Sequence, residues 1–282
     1  MHAIVQTQDG LALHVRRWSP EPPARGQVLI VHGLGEHGGR YAHVAADLQA
    51  RGWDVTAYDQ RGHGHSAGAP GDIAAADSLL ADLARIIDAM RAQLPGPLVL
   101  LGHSLGGLVA ARFVAEGLAP QPAGWSRPLD ALVLSSPALD PGMNAVQKAL
   151  LAVVPKVLPH LRVNNGLKPE WICRDPAVVK AYVDDPLVHD RISGLLGQFI
   201  AEAGPVVLEA AARWALPTLL MWAGADRCVK PEGSARFAAA APREVVTTRE
   251  WPGFSHEIFN EPDKGQVLAA LNGWLDQRYP RT

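Results

Sequence analysis

The sequence predicts a doubly wound, mostly parallel α/β sheet that carries a helical cap inserted into it, and three observations predict this. Short, β-branched apolar runs recur along the chain with helix-period segments between them. One of those runs leads through a Gly-rich turn directly into a helical pattern. Between residues 137 and 214 the alternation stops and only helical patterns remain.

The first segment alternates apolar and polar residues on both sides of Asp9-Gly10, a dipeptide that favours a tight hairpin turn, so an edge hairpin is expected. After the proline-rich loop 20–26, residues 27–32 (QVLIVH) are short and apolar enough to form a strand buried on both faces, and the parallel sheet begins there. Runs of the same kind return at residues 54–58, 97–102, 130–135, 218–223 and 244–249. Leu79, Leu83, Ile86, Ile87 and Met90 follow helical spacing, and residues 105–116 form a second helical stretch ended by Gly117. Within the insertion, residues 145–154 are almost continuously apolar. Ile192, Leu195, Leu196, Phe199 and Ile200 follow one helical face until Gly204-Pro205 interrupts it. Residues 1–136 and 215–282 are therefore assigned to the core, and residues 137–214 to the cap.

Composition narrows the function classes. With 282 residues, 48% of them hydrophobic, the chain can bury a sizeable core. Lys plus Arg number 26 against 28 Asp plus Glu, so the net charge of −2 gives no reason to expect nucleic acid as a partner. The N-terminal stretch MHAIVQTQDGLALHVRRW lacks an apolar core of the signal-peptide kind, and no run is expected to reach the roughly 18 apolar residues of a membrane span. A cytoplasmic protein is expected, with peripheral membrane contact left open and no obligate protein partner evident. Cys173 and Cys228 are too few and too far apart for a disulfide framework or a zinc site, and both are read as thiols.

The chemistry concentrates in Gly102-His103-Ser104-Leu105-Gly106, a G-x-S-x-G pattern between the strand PLVLLG and a helix. A turn this sharp strains its apex, and flanking glycines let strand and helix approach closely. The serine hydroxyl is thereby held above the sheet. Such a hydroxyl needs a base, and the base an orienting carboxylate, in the chain order Ser, Asp or Glu, His. Asp226 ends the run LLMWAGA and should emerge at the carboxyl edge of the sheet; of the 11 histidines only His256 follows it. Ser104, Asp226 and His256 are the expected catalytic residues. Two backbone N–H groups suit the oxyanion: Leu105, directly after the nucleophile, and Leu34 in His32-Gly33-Leu34-Gly35.

With these residues in place, HGLGEHGGRY at 32–41, AYDQRGHGHSAG at 57–68, GHSLGG at 102–107, LSSPAL at 134–139, GADRCV at 224–229 and GFSHEIFNEP at 253–262 resemble the monoacylglycerol lipase and lysophospholipase group of the α/β-hydrolases. Asp185-Pro186-Leu187-Val188 resembles a segment of that group's cap. The resemblance implies a serine carboxylic ester hydrolase acting on a small lipid ester with one acyl chain, and acylation of Ser104 followed by hydrolysis is expected to need no metal or organic cofactor. It implies the same triad and the same oxyanion donors. Leu105 stands where Met is frequent and Cys228 where an aliphatic residue is common, which leaves the acyl-chain preference open. A broad-specificity carboxylesterase or a related serine peptidase would keep the same triad, whereas a binding protein on a hydrolase scaffold would be expected to lose a member of it.

Other features admit two readings each. His63 and His65 have the spacing of a metal pair without a third ligand nearby, so a turn is the expectation. Glu36 and Arg40 form either an ion pair at a helix start or a polar contact to a glycerol-like leaving group. Cys228 is either a buried, inert thiol or a reactive one near the site. The apolar stretch 145–161, interrupted by Pro155 and Pro159 and carrying few polar residues (Asn144, Gln147, Lys148), either packs within the cap or makes transient contact with a lipid surface.

Overall fold

The computed structural model describes residues 1–21 and 23–280, and Lys148 in its backbone alone; Pro22 and the Lys148 side chain, both invoked above, lie outside what is described. Eight strands form one sheet in the order β1-β2-β4-β3-β5-β6-β9-β10. They are β1 His2–Gln6, β2 Ala12–Trp18, β3 Gly26–Val31, β4 Trp53–Tyr58, β5 Leu98–His103, β6 Ala131–Ser135, β9 Thr218–Ala223 and β10 Val246–Trp251. β1, β2 and β4 pair antiparallel and the remaining pairs are parallel. The chain has the mostly parallel, doubly wound sheet that the alternation implied.

The near-continuous apolar strands reflect burial on both faces. Val28 and Ile30 of β3, with Val99 and Leu101 of β5, join one core cluster against α1 (Ala42–Ala50) and α8 (Lys264–Arg278). Leu29 and Val31, with Leu98 and Leu100, join the other against α2 (Ser78–Arg91) and α3 (Leu105–Glu116). Side chains alternate between faces, so a run that is apolar at every position fills both. The edge strand β10 is different. Its residues Thr247 to Glu250 are exposed, and the strand begins two residues later than the apolar pattern suggested because a half-solvated edge carries little periodic signal. The β1–β2 turn is longer than a two-residue hairpin: Gln6 pairs with Ala12, and Gly10, at φ 79°, closes a loop in which Thr7 Oγ1 accepts from the Leu11 amide.

The chain leaves the sheet after β6 and returns at β9. In between lie α4 (Ala145–Val157), α5 (Pro176–Asp184) and α6 (Gly194–Ala210). Two expectations for this insertion are corrected. It does contain strands, β7 (Arg162–Asn164) and β8 (Arg191–Ser193), which pair antiparallel. Three residues each are too few to show a period. Nor does Gly204-Pro205 end α6, which runs through to Ala210. A methyl group at Gly204 would strike the Leu139 carbonyl oxygen, so the glycine permits close packing, while Pro205 lies on the exposed side where the carbonyl it leaves unpaired can be solvated.

The continuation of α6 also revises the expectation about membrane-length runs. Residues Gly194–Arg213 are long and apolar enough by length and composition to cross a membrane, yet half of the most apolar window is buried inside the protein. Leu196, Phe199, Ile200, Ala203 and Val207 form the buried stripe of a core-packed helix.

Candidate active site

Ser104 caps the end of β5 with φ 52° and ψ −117°, one of two non-glycine residues at positive φ among those described. Such a conformation costs on the order of 1–3 kcal/mol and persists only when its surroundings fix it. Here the Ser104 amide donates to the Ser135 carbonyl at 3.0 Å, and the Ser104 carbonyl accepts from Leu108 at 2.9 Å and Ala138 at 3.0 Å. Gly106 makes the turn possible, since a methyl group there would collide with the Val31 carbonyl oxygen.

Asp226 follows β9 and His256 follows β10, and the two meet Ser104 at one edge of the sheet. His256 Nε2 lies 2.8 Å from Ser104 Oγ, and His256 Nδ1 lies 2.6 Å from Asp226 Oδ2. The carboxylate accepts at Nδ1, so Nδ1 carries the proton and Nε2 faces the hydroxyl as an acceptor. Asp226 Oδ1 is itself held by the amides of Cys228 at 2.8 Å and Val229 at 3.1 Å. Burial opposes a charge on His256, yet Asp226 and then Glu257 and Glu36 outweigh it and raise its pKa above the ordinary imidazole value. Neighbouring His103 moves the other way. Burial, followed by repulsion from His256, holds it down to about 3, so its ring stays neutral 4.7 Å from the His256 ring.

Leu34 and Leu105 line the same apolar chamber as Ser104. Leu105 opens α3, where the first N–H groups of a helix have no partner within it. Among the described residues neither the Leu34 nor the Leu105 amide donates to another loop or turn carbonyl. The Leu34 peptide is held from behind. His32 Nε2 accepts from the Gln60 amide at 2.9 Å, which leaves its Nδ1–H to donate to the Gly33 carbonyl at 2.7 Å. The Gly33 amide in turn donates to Glu36 Oε1 at 2.6 Å.

Glu36 and Arg40 form the ion pair, at 2.6 Å, and the pair belongs to a larger buried assembly. Arg40 also makes two bonds to Glu257, at 2.6 and 2.7 Å, and its guanidinium stacks 4.8 Å from the Tyr182 ring. Tyr41 donates to Glu36 Oε1 at 2.7 Å. Burial disfavours the charge on Glu36, but Arg40 and then His32 and Tyr41 keep its carboxyl below the ordinary value. Arg40 thus joins the loop of Leu34 to the residue beside His256. Glu257, Tyr41 and Tyr182 escaped sequence reading. The one available signal was a glutamate directly after His256 in a segment that otherwise becomes buried.

Two cavities meet at Ser104. The first, about 360 Å³, mixes polar and apolar walls, with Glu36, Asp190, His256 and Glu257 beside Leu167, Ile172 and Val188. The second, about 490 Å³, runs beneath the insertion between Leu105, Met143, Leu151, Val154, Ile192 and Ile200. Leu34, Cys228, Asn165 and Leu167 border both. Cys173 and Cys228 are free thiols, as expected. Donor atoms of Asp226, Cys228 and His256 lie within 4.8 Å of one another, a spacing a metal could use. The fit is poor, because Asp226 Oδ2 is bonded to His256 Nδ1 and Asp226 Oδ1 to the Cys228 and Val229 amides, and burial, then the Asp226 charge, pushes the Cys228 thiol up, away from the ligating thiolate. His63 and His65 do not converge: His63 packs between the rings of His32 and His189, and His65 packs against His14.

The family described as serine aminopeptidase, S33, matches residues 22–263. The chain is 33% identical over 262 residues to a protein of Mycolicibacterium smegmatis named monoacylglycerol lipase, covering 92% of this chain and 90% of that protein. It is 30% identical over 275 residues to an uncharacterized abhydrolase domain-containing protein of Dictyostelium discoideum, of which it spans 28% while 96% of this chain is covered. The crystal structure of the Paleococcus ferrophilus monoacylglycerol lipase superposes with a TM-score of 0.82 at 36% identity, covering 94% of this chain and 98% of that one.

Proposed function

We propose, from the premise that this chain belongs to the α/β-hydrolase family described as serine aminopeptidase, S33, that it hydrolyses carboxylic esters of lipids with one acyl chain. The observation that carries this reading is the pair of chambers meeting at Ser104, the larger walled mostly by apolar side chains, the smaller holding the charged side chains of Glu36, Lys168, Asp190 and Glu257. An ester that joins an acyl chain to a polyol divides between them with its carbonyl at the serine. The similarity to proteins named monoacylglycerol lipase supports glycerol as the alcohol. A peptide's free amino terminus would need an unpaired carboxylate, and the carboxylates of the smaller chamber are paired: Glu36 and Glu257 with Arg40, Asp190 with Arg191. Residues 137–214 are read as the cap that supplies the apolar walls.

In this mechanism Ser104 Oγ attacks the ester carbonyl as His256 Nε2 takes its proton, and Asp226 orients the imidazole and stabilises its charged form. The oxyanion is bound by the Leu34 and Leu105 amides, which sets the cost of losing either at about 2.7–4 kcal/mol. Protonated His256 passes its proton to the departing alcohol. Water, deprotonated by the same nitrogen, then releases the acid and frees Ser104.

The cap also offers a surface for lipid. Val146, Val153 and Val157 on the outer side of α4 are 68%, 58% and 69% exposed, and Leu158 and Leu161 continue the patch. We read this face as the one that meets a lipid surface transiently. Comparing kcat/KM over monoacylglycerols, lysophospholipids and short esters, with Ser104→Ala as control, tests the assignment. Monoacylglycerols should lead and the control should be inactive; a preference for aminoacyl amides, or near wild-type turnover by the control, would overturn it.

A further inference from the structure

The insertion does more than wall the apolar chamber, because one short part of it is bonded directly to the loop that presents Leu34. His37 Nδ1 accepts from the Gly39 amide at 3.1 Å, so its Nε2 carries the proton and donates to Asp185 Oδ2 at 2.9 Å. The other oxygen, Asp185 Oδ1, accepts from the Leu187 amide at 2.9 Å, which fixes the carboxylate on its own turn. Two residues on, the His189 amide donates to the Gly35 carbonyl at 2.9 Å. The His189 ring accepts at Nδ1 from the Arg191 amide and therefore donates from Nε2 to the Gly62 carbonyl at 3.0 Å. The approach is close enough that a methyl group at Gly35, where φ is 75°, would collide with the His189 carbonyl oxygen. The core holds the same loop from the opposite side, through Asp59 Oδ1 accepting from the Gly38 amide at 2.9 Å.

Leu34 therefore sits on a loop clamped from two directions: His32, Glu36 and Asp59 on the core side, Asp185 and His189 on the insertion side. We propose that Asp185 and His189 are positioning residues for the reaction, aiming the Leu34 amide at the oxyanion through His37 and the Gly35 carbonyl. This rests on the reading of Ser104 and Leu34 given above. It assigns a role to the Asp185-Pro186-Leu187-Val188 segment, whose residues form no part of the triad or of the oxyanion pair. A displaced insertion then lowers turnover itself, even for substrates too short to fill the apolar chamber.

The test separates kcat from KM on p-nitrophenyl acetate for wild type, Asp185→Ala and Asp185→Asn. Melting temperatures are measured beside the dissociation constant of a trifluoromethyl ketone, which adds to the serine as a bound oxyanion. Misplacing one donor should lower kcat about 10- to 100-fold in Asp185→Ala, weaken the ketone by a similar factor and leave KM within about twofold. Asp185→Asn should fall between wild type and Asp185→Ala, because its single amide oxygen can accept from His37 or from the Leu187 amide but not from both. Unchanged kcat in Asp185→Ala, or a fall in kcat with no weakening of the ketone, overturns the proposal. Should Asp185→Ala not fold, His37→Phe cuts the same bond, and unchanged kcat there overturns it as well. An inactive wild type would instead sink the ester-hydrolase reading, which keeps the two failures distinct.

Discussion

Two stretches of the insertion are built in opposite ways. An early one, α4 and the turn after it, turns Val146, Val153 and Val157 outward and lines the apolar chamber with Leu151 and Val154. A later one, from Tyr182 to Ser193 and just before α6, is stitched to the core by backbone bonds to Gly35 and Gly71, by the His37–Asp185 bond and by the Arg40–Tyr182 stack. The apolar part gains stability from nondirectional contact, which tolerates movement and many ligand shapes. The stitched part uses directional bonds, which hold one geometry. On the function proposed above, substrate range and catalytic geometry fall to different stretches of one insertion.

Both parts presuppose the proposed triad, so the largest effect sets the scale for the comparison. Asp226→Asn should lower kcat by about 10⁴-fold, because the imidazole loses its orientation and tautomer. The pH profile carries the sign. His256 acts as a base when neutral, and its pKa lies above the ordinary 6.5, so kcat/KM should fall as pH drops through a midpoint above 6.5. In Asp226→Asn the residual activity should titrate at lower pH, and an acid limb that does not move would remove Asp226 from this role.

Arg40→Met comes next and tests the stitched part. It leaves Glu36 and Glu257 buried without their cation and removes the contact to Tyr182, which should cost about 3–5 kcal/mol of stability in denaturant unfolding. Loss below about 1 kcal/mol would show that the two carboxylates are satisfied without it. The smallest effect belongs to the apolar part. Val153→Asp combined with Val157→Asp should reduce flotation with phosphatidylcholine vesicles while leaving kcat on a short ester within about twofold, since neither residue lines a chamber. A matching loss of short-ester turnover would erase the distinction between the two parts.

Much of this was legible in the residues. The strands around Ser104, the Gly102 and Gly106 flanks of its turn and the order Ser104, Asp226, His256 follow from local periodicity and from what a serine nucleophile requires. What escaped was either short or distant. β7 and β8 hold three residues each, below the length at which alternation can be read. Pro205 looked like a helix end because a proline's local cost is visible in sequence, whereas the packing that outweighs it is not.

The sequence by itself determined the layered α/β plan and the strand-to-helix turn that carries Ser104, because each depends on neighbours a few residues apart; the proposed partners Asp226 and His256 were legible only through chain order and their places at strand ends. Only the tertiary structure decided that Arg40 serves Glu257, 217 residues away, and that His37 donates to Asp185, 148 residues away. Ion pairs and hydrogen bonds have no period along a chain. They are set by which side chains the fold brings within about 3 Å, and that distance exists only once the core has closed.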